Sequence, residues 1–341
     1  MSVAWRIAQQ GGEVTVFDKS EIGGEASWAG AGMLAPGGEV EGASQLATLA
    51  IESRRLYPEF VQELERASAT EIDYQERGAI MLAYSEDERA ELEAKAASQA
   101  ALGIASKPLT PAQVASFWPR VRHEGLVAAR FYPEDAVVNP REVVKALRLA
   151  CEQLGVSFMP NCAVMRAAVS SSGVSLKTSQ GAFPCDAAVI AAGAWSSSIQ
   201  VEGVPPLPIS EPVRGHLIGY HQPAQTCETI VRHGHTYLLQ RSNGLLIAGS
   251  SEERVGFVRE VNPGIVGSLV SQASHVLPHL AETTPSEIWT GFRPRSDQLH
   301  IGGWHSKRLL LAYGHYRNGI LLAPVTARAI AAELSASLQK R

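Results

Sequence analysis

The stretch Leu309 to Ala331 most constrains what this chain can fold into. Leu309 to Ala312 is an apolar run that reads as a short buried strand. It breaks at Gly314 and leaves a polar tip of His315, Tyr316, Arg317 and Asn318. It then restarts as a helix carrying Ile320, Leu321, Val325, Ile330 and Leu334, with alanines between them. A strand that turns through glycine into a helix N-terminus aims free backbone N–H groups and a partial positive charge at whatever sits in the turn. Arg317 adds a fixed charge there. Taken alone, the stretch reads equally well as an ordinary strand-to-helix connection.

A chain of 341 residues can bury a large core and hold two domains, here expected to be interleaved. Hydrophobic residues at 45% and charged residues at 19% exclude global disorder. A formal charge of −4 argues against nucleic acid as the main partner. Cys151, Cys162, Cys185 and Cys227 show neither C-x-x-C nor metal-site spacing, so they read as reduced thiols of a cytoplasmic protein. No apolar run reaches the ~18 residues of a membrane span, and no signal peptide precedes the opening helix.

That opening, Ser2 to Gln10, reads as a helix closed by Gly11-Gly12, and Glu13 to Asp18 as a strand ending in an acid. In a dinucleotide-binding βαβ unit the acid lies about 20 residues after a G-x-G-x-x-G turn and binds the adenosine ribose. Counting back from Asp18 by that distance runs past Met1. The sequence therefore shows the second half of such a unit without its first strand and glycine turn.

The glycine- and alanine-rich loop Gly23 to Pro36 lets backbone approach a ligand closely, with Ser27 offering a hydroxyl. A long helix follows, about Ser44 to Ala67. Ala79 to Ala83 is a strand, Ser85 opens a charged helix through a capping box, and Thr110-Pro111 and Asn139-Pro140 start two more. From Val156 to Ala192 the pattern is β. It ends in the continuously apolar Ala187 to Gly193, as suits a parallel strand covered on both faces. Beyond the proline-rich crossing Pro205 to Pro212, alternation and the turn Ser242-Asn243-Gly244 mark a largely antiparallel region. His233 and His235 resemble a metal pair, but with no carboxylate beside them in sequence they read as solvent-facing. The expected fold is α/β, α+β in the second domain. A Rossmann-like parallel-sheet domain (1–75, 134–204 and 291–341) is interleaved with a mainly antiparallel substrate domain (76–133 and 205–290).

Three segments carry a family resemblance: Gly24-Glu-Ala-Ser-Trp-Ala-Gly-Ala-Gly-Met-Leu-Ala-Pro36, Trp289-Thr-Gly-Phe-Arg-Pro294 and Gly314-His-Tyr-Arg-Asn-Gly-Ile-Leu-Leu-Ala-Pro324. In sequence and order they resemble the glycine oxidases, FAD enzymes of the D-amino-acid oxidase and sarcosine oxidase superfamily. The resemblance implies non-covalent FAD and hydride transfer from the substrate Cα to flavin N5. Water hydrolyses the resulting imine to a 2-oxo acid and ammonia, and dioxygen returns hydrogen peroxide. For glycine the product is glyoxylate, and the imine can feed synthesis of the thiazole of thiamine. The cofactor residues it implies are Asp18, with Lys19 beside it, Ala26, Ser27, Ala31, Gly32, Met33, Val164, Gly193, and the run His315, Tyr316, Arg317, Asn318, Gly319, Ile320 and Leu321. The substrate residues are Tyr237, Arg293 and Arg317; no acid/base residue is assigned. Glycine and dioxygen are the expected small-molecule partners, and a homo-oligomer the expected state.

An arginine fork suits these roles, because a carboxylate in a dry pocket needs a charge-assisted partner. Arg293 also reads as a surface ion-pair residue, Tyr237 as strand packing and Met33 as core. With the first strand and glycine turn unseen, Met1 is expected to be a late start in a longer frame, or the chain truncated. Taken literally, such a chain is expected to bind FAD poorly and fold marginally. The rivals are a sarcosine-type oxidase, a D-amino-acid dehydrogenase, and an inactive relative acting as a partner protein. No cysteine follows Cys227 to attach a flavin covalently.

Overall fold

A computed structural model describes residues 1–223 and 225–338. The chain is mixed α/β, with parallel pairing in its nucleotide-type elements and antiparallel sheets elsewhere. Two short parallel pairs replace the continuous sheet expected of the first region. Thr15–Phe17 runs beside Ser157–Met159, and Ala188–Ile190 beside Leu309–Leu311 of the strand Leu309–Tyr313. His300–Gly303 completes the second of these sheets.

Among the described residues, Thr15–Phe17 has no strand on its other side, nor does Ala188–Ile190. Both strands line one cavity of about 1610 Å³, together with Val3, Ala4 and Ile7 of the helix Ser2–Gln9 and Leu334 of the helix Ala323–Leu338. Of the apolar run from Ala187 only Ala188–Ile190 is strand; it is parallel as expected, but Val189 is half-buried, Ala191 and Ala192 are exposed, and only one edge is paired among the described residues.

The largest sheet has eight strands, in the order Glu287–Arg295, Glu211–His221, Leu245–Gly249, Thr236–Gln240, Ile230–His233, Ala79–Ala83, Ala128–Tyr132 and Lys107–Leu109. Every pairing is antiparallel except that of Ile230–His233 with Ala79–Ala83. Buried apolar positions on this sheet, among them Ile80, Ile218, Leu238, Leu246 and Ala248, pack against the helix Pro263–Val276.

The helix Gln45–Ser68, capped by the Ser44 hydroxyl on the amide of Ala47, joins the regions. It buries Tyr57, Phe60 and Leu64, and its polar face holds the C-terminal turn. The Ser53 hydroxyl donates to the carbonyl of Leu321 at 2.6 Å, and the Tyr57 hydroxyl to that of Ile320 at 3.0 Å.

The C-terminal helix starts later than its apolar spacing implies. It runs from Ala323 to Leu338, while Asn318 to Leu322 form turns. Pro324 explains the offset, because a proline is tolerated in the first turn of a helix but not in its interior. The amides of that helix therefore begin beyond Asn318 and Gly319. Among the described residues no helix is long and apolar enough to cross a membrane.

Candidate active site

The residues singled out by sequence fall into two groups. The first surrounds the cavity between the open strand edges. Asp18 follows Thr15–Phe17 at its mouth, and its carboxylate accepts from the amide and hydroxyl of Ser20 at 3.0 and 3.2 Å. Lys19 lies beside it with its ammonium 3.6 Å from the centre of the Trp195 ring, a cation–π contact. Ala26 and Ser27, of the short helix Ala26–Ala29, line the same cavity, as do Val164 and Gly193. Gly193 opens a 3₁₀ turn at φ +55°.

The second group does not line that cavity. Met33 pairs with Val137 in a short three-stranded sheet. Gly32 sits at φ +99°, and a Cβ there would lie 1.8 Å from the carbonyl oxygen of Val138, so only glycine lets the two backbones meet. The neighbouring residues are held from above: the Trp289 indole donates to the carbonyl of Ala29 at 2.9 Å, and Arg241 to that of Gly30 at 3.3 Å.

In the C-terminal turn, Asn318 is buried, and the amide of Tyr316 donates to the carbonyl of Pro294 at 3.1 Å. The turn is thereby tied to the strand that carries Arg293. His315 shares a hydrogen bond with the Thr326 hydroxyl at 3.0 Å, and burial pulls its imidazole down to about 4, so it is neutral at pH 7. Ile320 and Leu321 contribute the carbonyls that Tyr57 and Ser53 hold, with Gly319 just before them.

Arg293 and Tyr237 meet on the eight-stranded sheet. The Arg293 guanidinium lies flat over Gly215, where a Cβ would come within 2.3 Å of it. It donates to the Ser251 carbonyl at 3.0 Å and to the Ser250 hydroxyl at 2.7 Å. The Tyr237 phenol packs on Gly249, whose Cβ would lie 2.9 Å from its oxygen. Burial raises the phenol's pKa, against the pull of Arg293, Ser250 and Arg232. The phenol is protonated at neutral pH and available as a donor.

Arg317 is placed differently from the other two. Its guanidinium is committed to Glu39, with Nη2 and Nε at 2.8 and 3.2 Å from one carboxylate oxygen. Tyr316 lies between the two arginines: burial and Glu252 raise its phenol to about 12, while Arg293 and Arg317 pull the other way.

A network that sequence reading missed lies beneath Met33. Arg232, buried and directly across the sheet from Tyr237, donates to the Met33 sulfur at 3.2 Å and approaches Glu39 at 3.5 Å. Gly38 leaves room for it, since a Cβ there would be 2.0 Å from the guanidinium carbon. Asp135 accepts from the amide of Gly37 at 3.0 Å and is pushed up to about 7 by burial. Its second oxygen is buried without a partner. The glycine pair Gly37-Gly38 was the one available signal.

Among the described residues no group of three or more His, Cys, Asp or Glu side chains is placed to hold a metal ion, around His233 and His235 or elsewhere. His233 is also not free of carboxylates, because its Nε2 lies 3.1 Å from Glu88. Packing of the helix Glu86–Ala100 on the strand Ala79–Ala83 brings in that acid, which lies far away in sequence.

The residues present fit a bound dinucleotide. The cavity is large enough for one and is lined by the Asp18 carboxylate, the Lys19 cation and the left-handed backbone of Gly193.

Comparison with known proteins agrees. The profile of the FAD dependent oxidoreductase family matches residues 1–333. A glycine oxidase of Geobacillus kaustophilus is 32% identical over 335 residues, covering 97% of this chain and 88% of that protein. A bifunctional ThiO/ThiG protein of Synechocystis is 30% identical across 97% of the chain, which spans 49% of that longer protein. The crystal structure of the Geobacillus glycine oxidase superposes with a TM-score of 0.92 at 30% identity, over 98% of this chain and 91% of that one. One of a Bacillus cereus glycine oxidase gives 0.92 at 28%, over 98% and 94%. Matched along nearly its whole length and sharing that fold, the chain belongs to the FAD dependent oxidoreductases.

Proposed function

We propose that the chain oxidises the amine of a small amino acid, glycine first among them and sarcosine or small D-amino acids next. The products are the 2-oxo acid (glyoxylate from glycine), ammonia and, with dioxygen as acceptor, hydrogen peroxide. The carrying observation is the placement of Arg293, held by the Ser250 hydroxyl, near the protonated phenol of Tyr237, which packs on the adjacent Gly249. Tyr237 stands opposite Arg232 on the neighbouring strand, and Arg232 reaches Met33. In this reading 1–75, 134–204 and 291–341 hold the cofactor, and 76–133 and 205–290 the substrate.

FAD, when bound, supplies the two-electron oxidant. Asp18 would hold its ribose, Ser27 and the Ala31–Met33 backbone its ring, and the C-terminal turn the far side of that ring. The chain's own task is positioning. Arg293 takes the substrate carboxylate through its guanidinium fork and Tyr237 donates to the same group, which fixes the Cα. The packed turn around Asn318 excludes water from that point. Arg317, tied to Glu39, acts on the architecture of the turn in this arrangement. A role in making the thiazole of thiamine follows from the likeness to glycine oxidases and ThiO/ThiG proteins.

The test is a substrate panel on purified, flavin-loaded protein with peroxide and 2-oxo acid measured together. Stoichiometric peroxide and glyoxylate from glycine in air support the reading. Turnover only with an added quinone, or none with any amine, overturns it.

A further inference from the structure

We propose that Ser250 is the positioning residue that sets Arg293, beside the Tyr237 phenol, for a carboxylate; the inference rests on the reading above. The two side chains come from strands separated in the sheet by Leu245–Gly249 and Glu211–His221. Neither is oriented by its own strand alone. Arg293 lies along Gly215, and Tyr237 along Gly249, surfaces that confine each group to a plane but leave it free to slide.

Ser250 directly follows Gly249, the residue on which the Tyr237 phenol packs. Its hydroxyl accepts from Arg293 at 2.7 Å and so fixes the guanidinium within its plane. The Ser251 carbonyl, next in the chain, takes the other terminal nitrogen of Arg293 at 3.0 Å. These two acceptors hold the guanidinium next to the phenol that packs on Gly249, and the remaining N–H groups of Arg293 stay available to a ligand.

The chemistry favours this over a packing role. Ser250 is neither deeply buried nor in the apolar core, so its hydroxyl is not needed to fill space. Its removal frees Arg293 Nη2, and a substrate carboxylate must then order the guanidinium itself. That ordering cost falls on ground-state binding more than on the chemical step.

The experiment uses Ser250→Ala and Ser250→Thr in the full chain. Binding of ¹³C-acetate is titrated by NMR, which needs no turnover, and KM and kcat for glycine are measured on flavin-loaded samples. For Ser250→Ala the acetate Kd and the glycine KM are expected to rise about tenfold, more than kcat falls, as loss of one hydrogen bond to a charged group implies. Ser250→Thr, which keeps the hydroxyl, is expected to restore both to within about threefold.

Unchanged acetate affinity in Ser250→Ala overturns the proposal, as does a loss that Ser250→Thr fails to rescue. Arg293→Leu separates the two levels. If it binds acetate as the parent chain does, the carboxylate site itself is wrong. If it abolishes binding while Ser250→Ala changes nothing, the site stands and only the positioning role falls.

Discussion

Arg317 directs two guanidinium nitrogens, at 2.8 and 3.2 Å, onto one carboxylate oxygen of Glu39, whose other oxygen lies 3.5 Å from Arg232. The pair joins the C-terminal turn to the segment after Met33. Burial alone would raise the Glu39 carboxyl, but Arg232, Arg317 and Lys95 together outweigh it and hold the group below the usual carboxylate range.

Replacing Glu39 with glutamine leaves Arg232 buried without its counter-charge. A loss of about 3 kcal/mol is expected at pH 7, the scale for breaking a buried pair from one side. Because the folded pKa is depressed, the contribution is complete above the unfolded carboxyl value and is lost as pH falls through the folded one. Urea denaturation of the parent and Glu39→Gln chains at pH 7 and in acid should show a gap that narrows in acid. A constant gap would locate the effect in packing.

Asp135 gives the opposite slope. Its carboxyl, pushed up to about 7 chiefly by burial, stays protonated in the fold after it has ionised in the unfolded chain. The native state then binds more protons, so this group erodes stability as pH rises from its unfolded value toward 7, and the cost levels off above that. Asp135→Asn keeps an acceptor for the Gly37 amide. It is expected to gain on the order of 1–3 kcal/mol at pH 8 and little below pH 4. Denaturation midpoints across that range test it, and equal midpoints at pH 8 would contradict it.

How much of this was legible in advance depended on whether a feature was local. Asp18 after a strand, the loop around Gly32 and the turn around Arg317 each sit in a continuous pattern, and each was found. Glu39, Asp135, Arg232 and Arg317 come from four distant segments, and no spacing links them; the network exists only after the sheet has formed. Ser250 was invisible for the same reason. The helix start was misplaced because Ile320 and Leu321 continue the helical spacing of Val325, Ile330 and Leu334, although the Tyr57 and Ser53 hydroxyls bind their carbonyls outside the helix.

Changing Arg293 to leucine should lower kcat/KM for glycine by about a hundredfold or more, and Tyr237→Phe by about tenfold, the scales for a charge-assisted fork and one neutral donor. Both should leave the thermal midpoint within about 3 °C, since each group is only half-buried. Steady-state kinetics with a melting curve on each sample decides between this and a structural role. A midpoint that falls in step with activity would favour the latter.

Gly32→Ala tests the loop that faces the C-terminal turn. The substitution must relieve a 1.8 Å approach to the Val138 carbonyl at a φ of +99°. The amide of Val138 also donates to the Gly32 carbonyl at 2.9 Å, so neither backbone can simply withdraw. A loss of about 2–4 kcal/mol is expected, together with weaker flavin retention on gel filtration. Retained flavin with an unchanged midpoint would show that the loop yields.

The cavity between Thr15–Phe17 and Ala188–Ile190 carries the last prediction. Among the described residues both strands show an unpaired edge to it, and Val3, Ile7, Val16, Val189 and Leu334 make its walls apolar. Parallel strands are stable when both faces and both edges are covered, because open N–H and C=O groups beside apolar walls cost free energy. A strand seated there would pair with both neighbours, and a glycine turn after it would present amides near Asp18 and Gly193. Fusing an apolar strand and a G-x-G-x-x-G turn ahead of Met1 should therefore raise the FAD retained per chain and the unfolding midpoint together. Unchanged values for both, measured by flavin absorbance and calorimetry, would show that the cavity needs no strand to hold the cofactor. A rise in the midpoint without flavin would confine the gain to the sheet and leave cofactor retention to the Asp18 edge and the turn around Arg317.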